Sequence, residues 1–149
     1  MNRTSSPVDA NALDWIPLGP GVSFRPLRFG RLGRSLQLKV EQGVLVAPHR
    51  HTGPVHAYNL SGSRELVEKG EVAGPGAYVY EPAGNVDSWR CVGDEPCIVL
   101  INLIGRLDYV DECGEVIDST DTAKLYETYL AWCAAHGMQP SVLRDELEP

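Results

Sequence analysis

The chain has 149 residues and a formal net charge of −7, with 43% apolar and 22% charged residues. That size suits one domain able to bury roughly 70% of its unfolded surface. The acidic balance excludes nucleic acid as a partner, because Arg25, Arg28, Arg31 and Arg34 lie along one segment without aromatic interleaving or a helical stripe.

Residues 1–12 are polar and are expected to be a flexible N-terminus, lacking the apolar core of a secretory leader. Trp15, Ile16 and Leu18 anchor the chain to its body before the Gly19-Pro20-Gly21 turn. Val22 to Arg25 alternates apolar and polar as a half-buried strand does, and Pro26 marks an edge or a bulge. Gly30 to Gly33 is a hairpin turn, and Leu36, Leu38 and Val40 continue the period of two. Gly43 ends that strand, and Val44 to Ala47 leads into HRHTGPVHAYNLSG, residues 49–62. Arg64 to Lys69 (RELVEK) and Ala77 to Glu81 are strands, the second β-prone through its aromatic and branched residues. Val86 to Trp89 follows a Pro82–Asn85 turn, Pro96 to Leu103 is the most apolar run and a central strand, and Tyr109 to Ile117 is a hairpin. The period then changes. Ser119 or Thr120 caps a helix with Asp121 in its first turn, Leu125, Tyr129, Leu130 and Trp132 recur at helical spacing, and Gly137 stops it, with His136 at its end. The tail SVLRDELEP is expected to be solvated.

About ten short strands followed by one helix predict an all-β sandwich or barrel. The expected divisions are a barrel over 13–118, a helix over 119–137 packed on the barrel or on a partner, and a tail over 138–149. Cys91, Cys97, Cys113 and Cys133 form neither a C-x-x-C pair nor a dense framework, so reduced thiols and a cytoplasmic location are expected. With no apolar run of about 18 residues, no membrane span is predicted.

His49 and His51 sit one residue apart on a predicted strand, so their imidazoles project to one side and can share a metal ion. His56 follows after a Thr-Gly-Pro turn, as a third ligand or as a hydrogen-bond partner to one. Gly43, His49, His51, His56 and Gly62 follow the first cupin motif, G-x5-H-x-H-x3–4-E-x6-G, with His56 at the glutamate position and Gly62 one residue early. Gly76 to Asp87, with Pro82 and Gly84, resembles the second motif, with Asp87 where a histidine is usual.

WIPLGPGVSFRPLRF, HRHTGPVHAYNLSG, AYVYEPAG and LDYVDECGEVI are similar to the 2,4'-dihydroxyacetophenone and acetylacetone dioxygenase group of cupins. That resemblance implies a jelly-roll barrel (a double-stranded β-helix) with a C-terminal α-helix. It also implies a non-haem Fe(II) centre, with Zn(II) or another divalent ion as the alternative, and oxygen-dependent cleavage of a carbon–carbon bond beside a ketone. By position His49, His51 and Asp87 are the metal ligands, Glu68 approximates a supporting glutamate, and His56 and Tyr80 are further catalytic candidates. The expected partners are a small hydroxyketone or diketone, molecular oxygen and a second copy of the chain. Asp87 also admits the rival reading, a non-oxidative cupin that isomerises, cyclises or binds a small ligand, with zinc or no metal.

Overall fold

A computed structural model describes residues 5–149, in which twelve strands form two six-stranded antiparallel sheets closed by one helix. The first sheet runs β1 (Ile16–Gly19), β2 (Val22–Phe29), β3 (Gly33–Val40), β10 (Cys97–Ile104), β5 (Val55–Ser61) and β8 (Tyr78–Glu81). The second runs β12 (Val116–Thr120), β11 (Leu107–Val110), β4 (Leu45–His51), β9 (Val86–Val92), β6 (Ser63–Leu66) and β7 (Glu71–Ala73). This is the expected all-β jelly roll with a C-terminal helix, α1 (Thr122–Ala135). Among the described residues no helix is long and apolar enough to cross a membrane.

The period of two decides what each strand buries. On β5, Val55, Ala57 and Asn59 face inward while His56, Tyr58 and Leu60 face out. The apolar β10 is central, paired to β3 on one side and to β5 on the other. Pro26 coincides with a bulge, since the β2–β3 register shifts between Pro26 and Arg28. Gly62 turns β5 into β6 with φ +66°, and a Cβ there would sit 2.2 Å from the Pro96 carbonyl oxygen, so no side chain fits. Two apolar clusters result. One gathers Phe24, Phe29, Leu36 and Leu103 with Leu125, Tyr129 and Cys133 of the helix; the other gathers Val40, Trp89, Cys91, Cys97 and Val99. Burying Phe29 alone stabilises the fold by roughly 1.5–3 kcal/mol. Cys91, Cys97 and Cys133 are buried free thiols, and Cys113 is exposed.

Three local expectations change. Ser119 and Thr120 end β12, and Asp121 itself is the N-cap, its carboxylate accepting from the Lys124 amide at 2.8 Å. The predicted RELVEK strand stops at Leu66, and Val67 to Gly70 turn instead. The tail is held rather than solvated. Val142 is buried, the Tyr129 hydroxyl accepts from the amides of Ser141 (2.9 Å) and Val142 (3.2 Å), and Arg144 donates to the carbonyls of Gly30 (3.1 Å) and Arg31 (2.9 Å). Apolar Val142 repays the ordering of this segment by covering Phe29 and Tyr129. Of the expected flexible N-terminus, residues 1–4 lie outside the described residues, while Asp9 caps a short 3-10 turn over Ala10–Ala12.

Gly137 stops α1 as expected. It adopts φ +63° and lets the Met138 amide reach back to the Cys133 carbonyl at 2.8 Å. His136 ends the helix with its ring stacked 3.7 Å from that of Trp132.

Candidate active site

His49 and His51 do share a face. Both are buried, and their rings meet edge to face with centroids 4.8 Å apart. A bulge prepares them: the β4–β9 register shifts between Val46 and His49, which leaves Ala47 and Pro48 out of the ladder. The Ala47 carbonyl accepts from His49 Nδ1 at 2.7 Å. That bond fixes the tautomer, so the lone pair sits on Nε2. Burial pushes the His49 pKa below the usual imidazole range, which keeps the ring neutral. The second motif clamps the neighbouring histidine: the Gly84 amide donates to the His51 carbonyl at 2.7 Å, and the His51 amide donates to Asn85.

Asp87 pairs opposite His49 on β9 and is buried, with Oδ2 lacking a partner. The glutamate that completes the group is Glu81, at the end of β8. Its Oε2 lies 3.1 Å from His51 Nε2, and it shares a hydrogen bond with Asp87. Two buried carboxyls so close cannot both ionise. Burial and the Glu81 charge push Asp87 up to about 8. Burial would raise Glu81 too, but the hydrogen bonds from His51 and Asp87 outweigh it and hold Glu81 at about 2. One proton therefore sits on Asp87, and Glu81 carries the charge. Arg64 balances it: the guanidinium is 2% exposed, lies 4.9 Å over the Trp89 ring and donates to Asn59 Oδ1 at 3.1 Å.

The other candidates lie elsewhere. Glu68 sits on the turn after β6 and accepts from the Ser88 amide (3.0 Å) and hydroxyl (2.6 Å). Burial there is slight, and those bonds draw its pKa below the ordinary carboxylate value. His56 and Tyr80 are ladder partners on the outer face of the first sheet, where His56 Nδ1 meets the Tyr78 hydroxyl at 2.6 Å. Alternation turns both away from the interior and turns Glu81 into it. The signal for Glu81 needs the buried face of β8: once Val79 is known to face inward, alternation turns Glu81 inward as well.

His49, His51, Arg64 and Glu81 open onto a cavity of about 420 Å³ between the sheets, within the range of small-molecule sites. Leu36, Leu38, Val46, Trp89, Ile101 and Leu103 form its apolar wall, and Arg34, His49, His51, Arg64, Glu81 and Tyr109 supply polar atoms. Among the described residues no three His, Cys, Asp or Glu donors converge on a point that could hold a metal, because Glu81 is engaged with His51 and Asp87. The chemistry of the set nevertheless fits a divalent ion. The set comprises a neutral His49 with Nε2 free, a second imidazole, and two carboxyls, one with an unpartnered buried oxygen.

No curated protein matches the chain in sequence. Among solved structures, an RmlC-like cupin protein from Ralstonia eutropha JMP134 is 27% identical with a TM-score of 0.86, covering 93% of this chain and 92% of that one. An acetylacetone dioxygenase from Acinetobacter johnsonii is 20% identical with a TM-score of 0.73, covering 88% and 93%. The polyketide cyclase RemF from Streptomyces resistomycificus is 18% identical with a TM-score of 0.59, covering 79% and 85%. At 20% identity and below, the likeness is one of fold. A family profile described as the ChrR cupin-like domain matches residues 4–105, which span both motifs and the whole candidate site. On that match the chain belongs to the ChrR cupin-like family.

Proposed function

We propose that this protein is a metal-dependent cupin dioxygenase, cleaving a carbon–carbon bond beside a ketone in a small hydroxyketone or diketone. The observation that supports this reading is the gathering of His49, His51 and Glu81, from two sheets, at one apolar cavity, with Asp87 of a third strand against Glu81. His49, His51 and a carboxylate from Glu81 or Asp87 would hold Fe(II), which when bound supplies Lewis acidity and one-electron redox chemistry. The protein's own part is to orient and to shield. His49 presents Nε2 because Ala47 holds its other nitrogen, and Asp87 releases its proton as the site is charged with a cation. Leucine and isoleucine side chains keep water from the reacting ketone.

Metal analysis of protein purified without added metal, followed by oxygen uptake on acetylacetone, tests the reading. Stoichiometric iron with oxygen consumption supports it. Zinc or no metal, with no uptake, defeats it in favour of a non-oxidative cupin that isomerises, cyclises or binds its ligand. One observation favours that rival: Glu81 and Asp87 already share a hydrogen bond without a metal.

A further inference from the structure

Two buried guanidiniums line the cavity, Arg64 and Arg34. Arg64 lies beside the Glu81 and Asp87 carboxyls. Arg34, projecting inward from β3 at 3% exposure, forms no ion pair among the described residues. Its Nη1 donates to the Gly105 carbonyl (2.9 Å) and to Thr122 Oγ1 (3.2 Å), both uncharged, and the Thr122 hydroxyl is itself held by the Leu32 carbonyl at 2.9 Å. These bonds fix the arm and leave Nε and Nη2 without a hydrogen-bond partner among the described residues. Desolvation pulls the Arg34 pKa down to about 10, and the charge of Asp121 at the start of α1 offsets only part of it. Beside it in the cavity lining is the half-buried Tyr109, whose ring meets the His49 ring edge-on at 6.0 Å. Arg34, Tyr109 and His49 thus follow one another along the cavity, with Leu36, Leu103 and Leu107 as apolar wall.

We propose that the cavity takes a small keto acid, with its carboxylate on the free Nε and Nη2 edge of Arg34 and its carbonyl toward His49 and His51. A guanidinium offers two parallel donors that match a carboxylate, and in an apolar cavity a charged bond of this kind is strong. The keto half of the assignment rests on the proposed dioxygenase reading; the carboxylate half rests on Arg34 alone.

The test uses chelator-treated full-length protein at pH 7 and calorimetric titration with 4-oxo-4-phenylbutanoate and with its methyl ester. The acid should bind at least tenfold more tightly than the ester. Arg34→Gln should abolish that preference without weakening the ester, and Arg34→Lys should restore part of it. Equal binding of acid and ester by the unaltered protein, or binding of neither, overturns the proposal, and those outcomes do not depend on the variants folding. An acid preference that survives in a folded Arg34→Gln protein also overturns it. No metal enters the assay, so an acid preference in a protein that held no iron as purified, before chelation, refutes the dioxygenase reading and leaves the carboxylate subsite standing.

Discussion

Glu81 reaches from the first sheet to the second, where its Oε2 lies 3.1 Å from Nε2 of His51. The contact ties the end of β8 to the end of β4 across the interior and sets the protonation of everything near it. Glu81 holds the charge, Asp87 holds the proton, and Arg64 offsets the remainder.

Replacing Glu81 by Gln keeps the volume and removes the charge. Zn(II) or Co(II) affinity, measured by calorimetry, should fall about 10–100-fold, as expected when a ligand or its hydrogen-bond partner is lost. Glu68→Gln weakens the bonds to Ser88 and removes a minor charge acting on His49 and Asp87, and should leave affinity within about twofold of the unaltered protein. Equal losses in the two variants would return Glu68 to the site.

Asp87 gives the metal-free protein a pH signature. Its folded pKa, about 8, lies above the ordinary 3.8, so between those values the folded state holds a proton that the unfolded state has released. Stability from this group is complete below 3.8 and declines as pH rises toward 8, by at most about 1.4 kcal/mol per pH unit. His49, lowered from 6.5, acts in the opposite sense below that value, so the window from 6.5 to 8 isolates Asp87. Chemical denaturation should show stability falling across that window in the unaltered protein and a flatter course in Asp87→Asn.

His56→Ala and Tyr80→Phe alter the outer face of the first sheet. Metal content and cavity binding should match those of the unaltered protein, while His49→Ala should lose bound metal. Loss of metal in His56→Ala would bring that imidazole back as a ligand.

Tyr129→Phe deletes the hydroxyl that accepts from the Ser141 and Val142 amides and strands the buried Val142 donor. The cost should be about 1–3 kcal/mol by urea denaturation, with trypsin cutting sooner after Arg144.

The shared face of His49 and His51 was legible because it needs only the period of two on one strand. The jelly roll was legible through turn spacing and through the two motifs that meet at His51. Glu81 was not, because choosing it over Tyr80 requires knowing which face β8 buries, and that follows from its pairing with β5 through His56 and Tyr80. Glu68 misled for a related reason. Extending the strand past Leu66 brings Glu68 to the site on paper, whereas the chain turns at Val67. The docked tail was hidden because its acidic residues mask one apolar anchor, Val142.

The defect in β4 just before His49 gives the chemistry a dependence on chain length rather than on residue type. Ala47 and Pro48 together face one residue of β9, Ser88, and this one-residue surplus frees the Ala47 carbonyl to hold the His49 ring. Deleting one of them would restore a regular ladder with His49 still opposite Asp87. The imidazole would keep its place and its identity while losing the carbonyl that fixes its tautomer. An alignment that scores only which amino acids are present would rate such a deletion as mild.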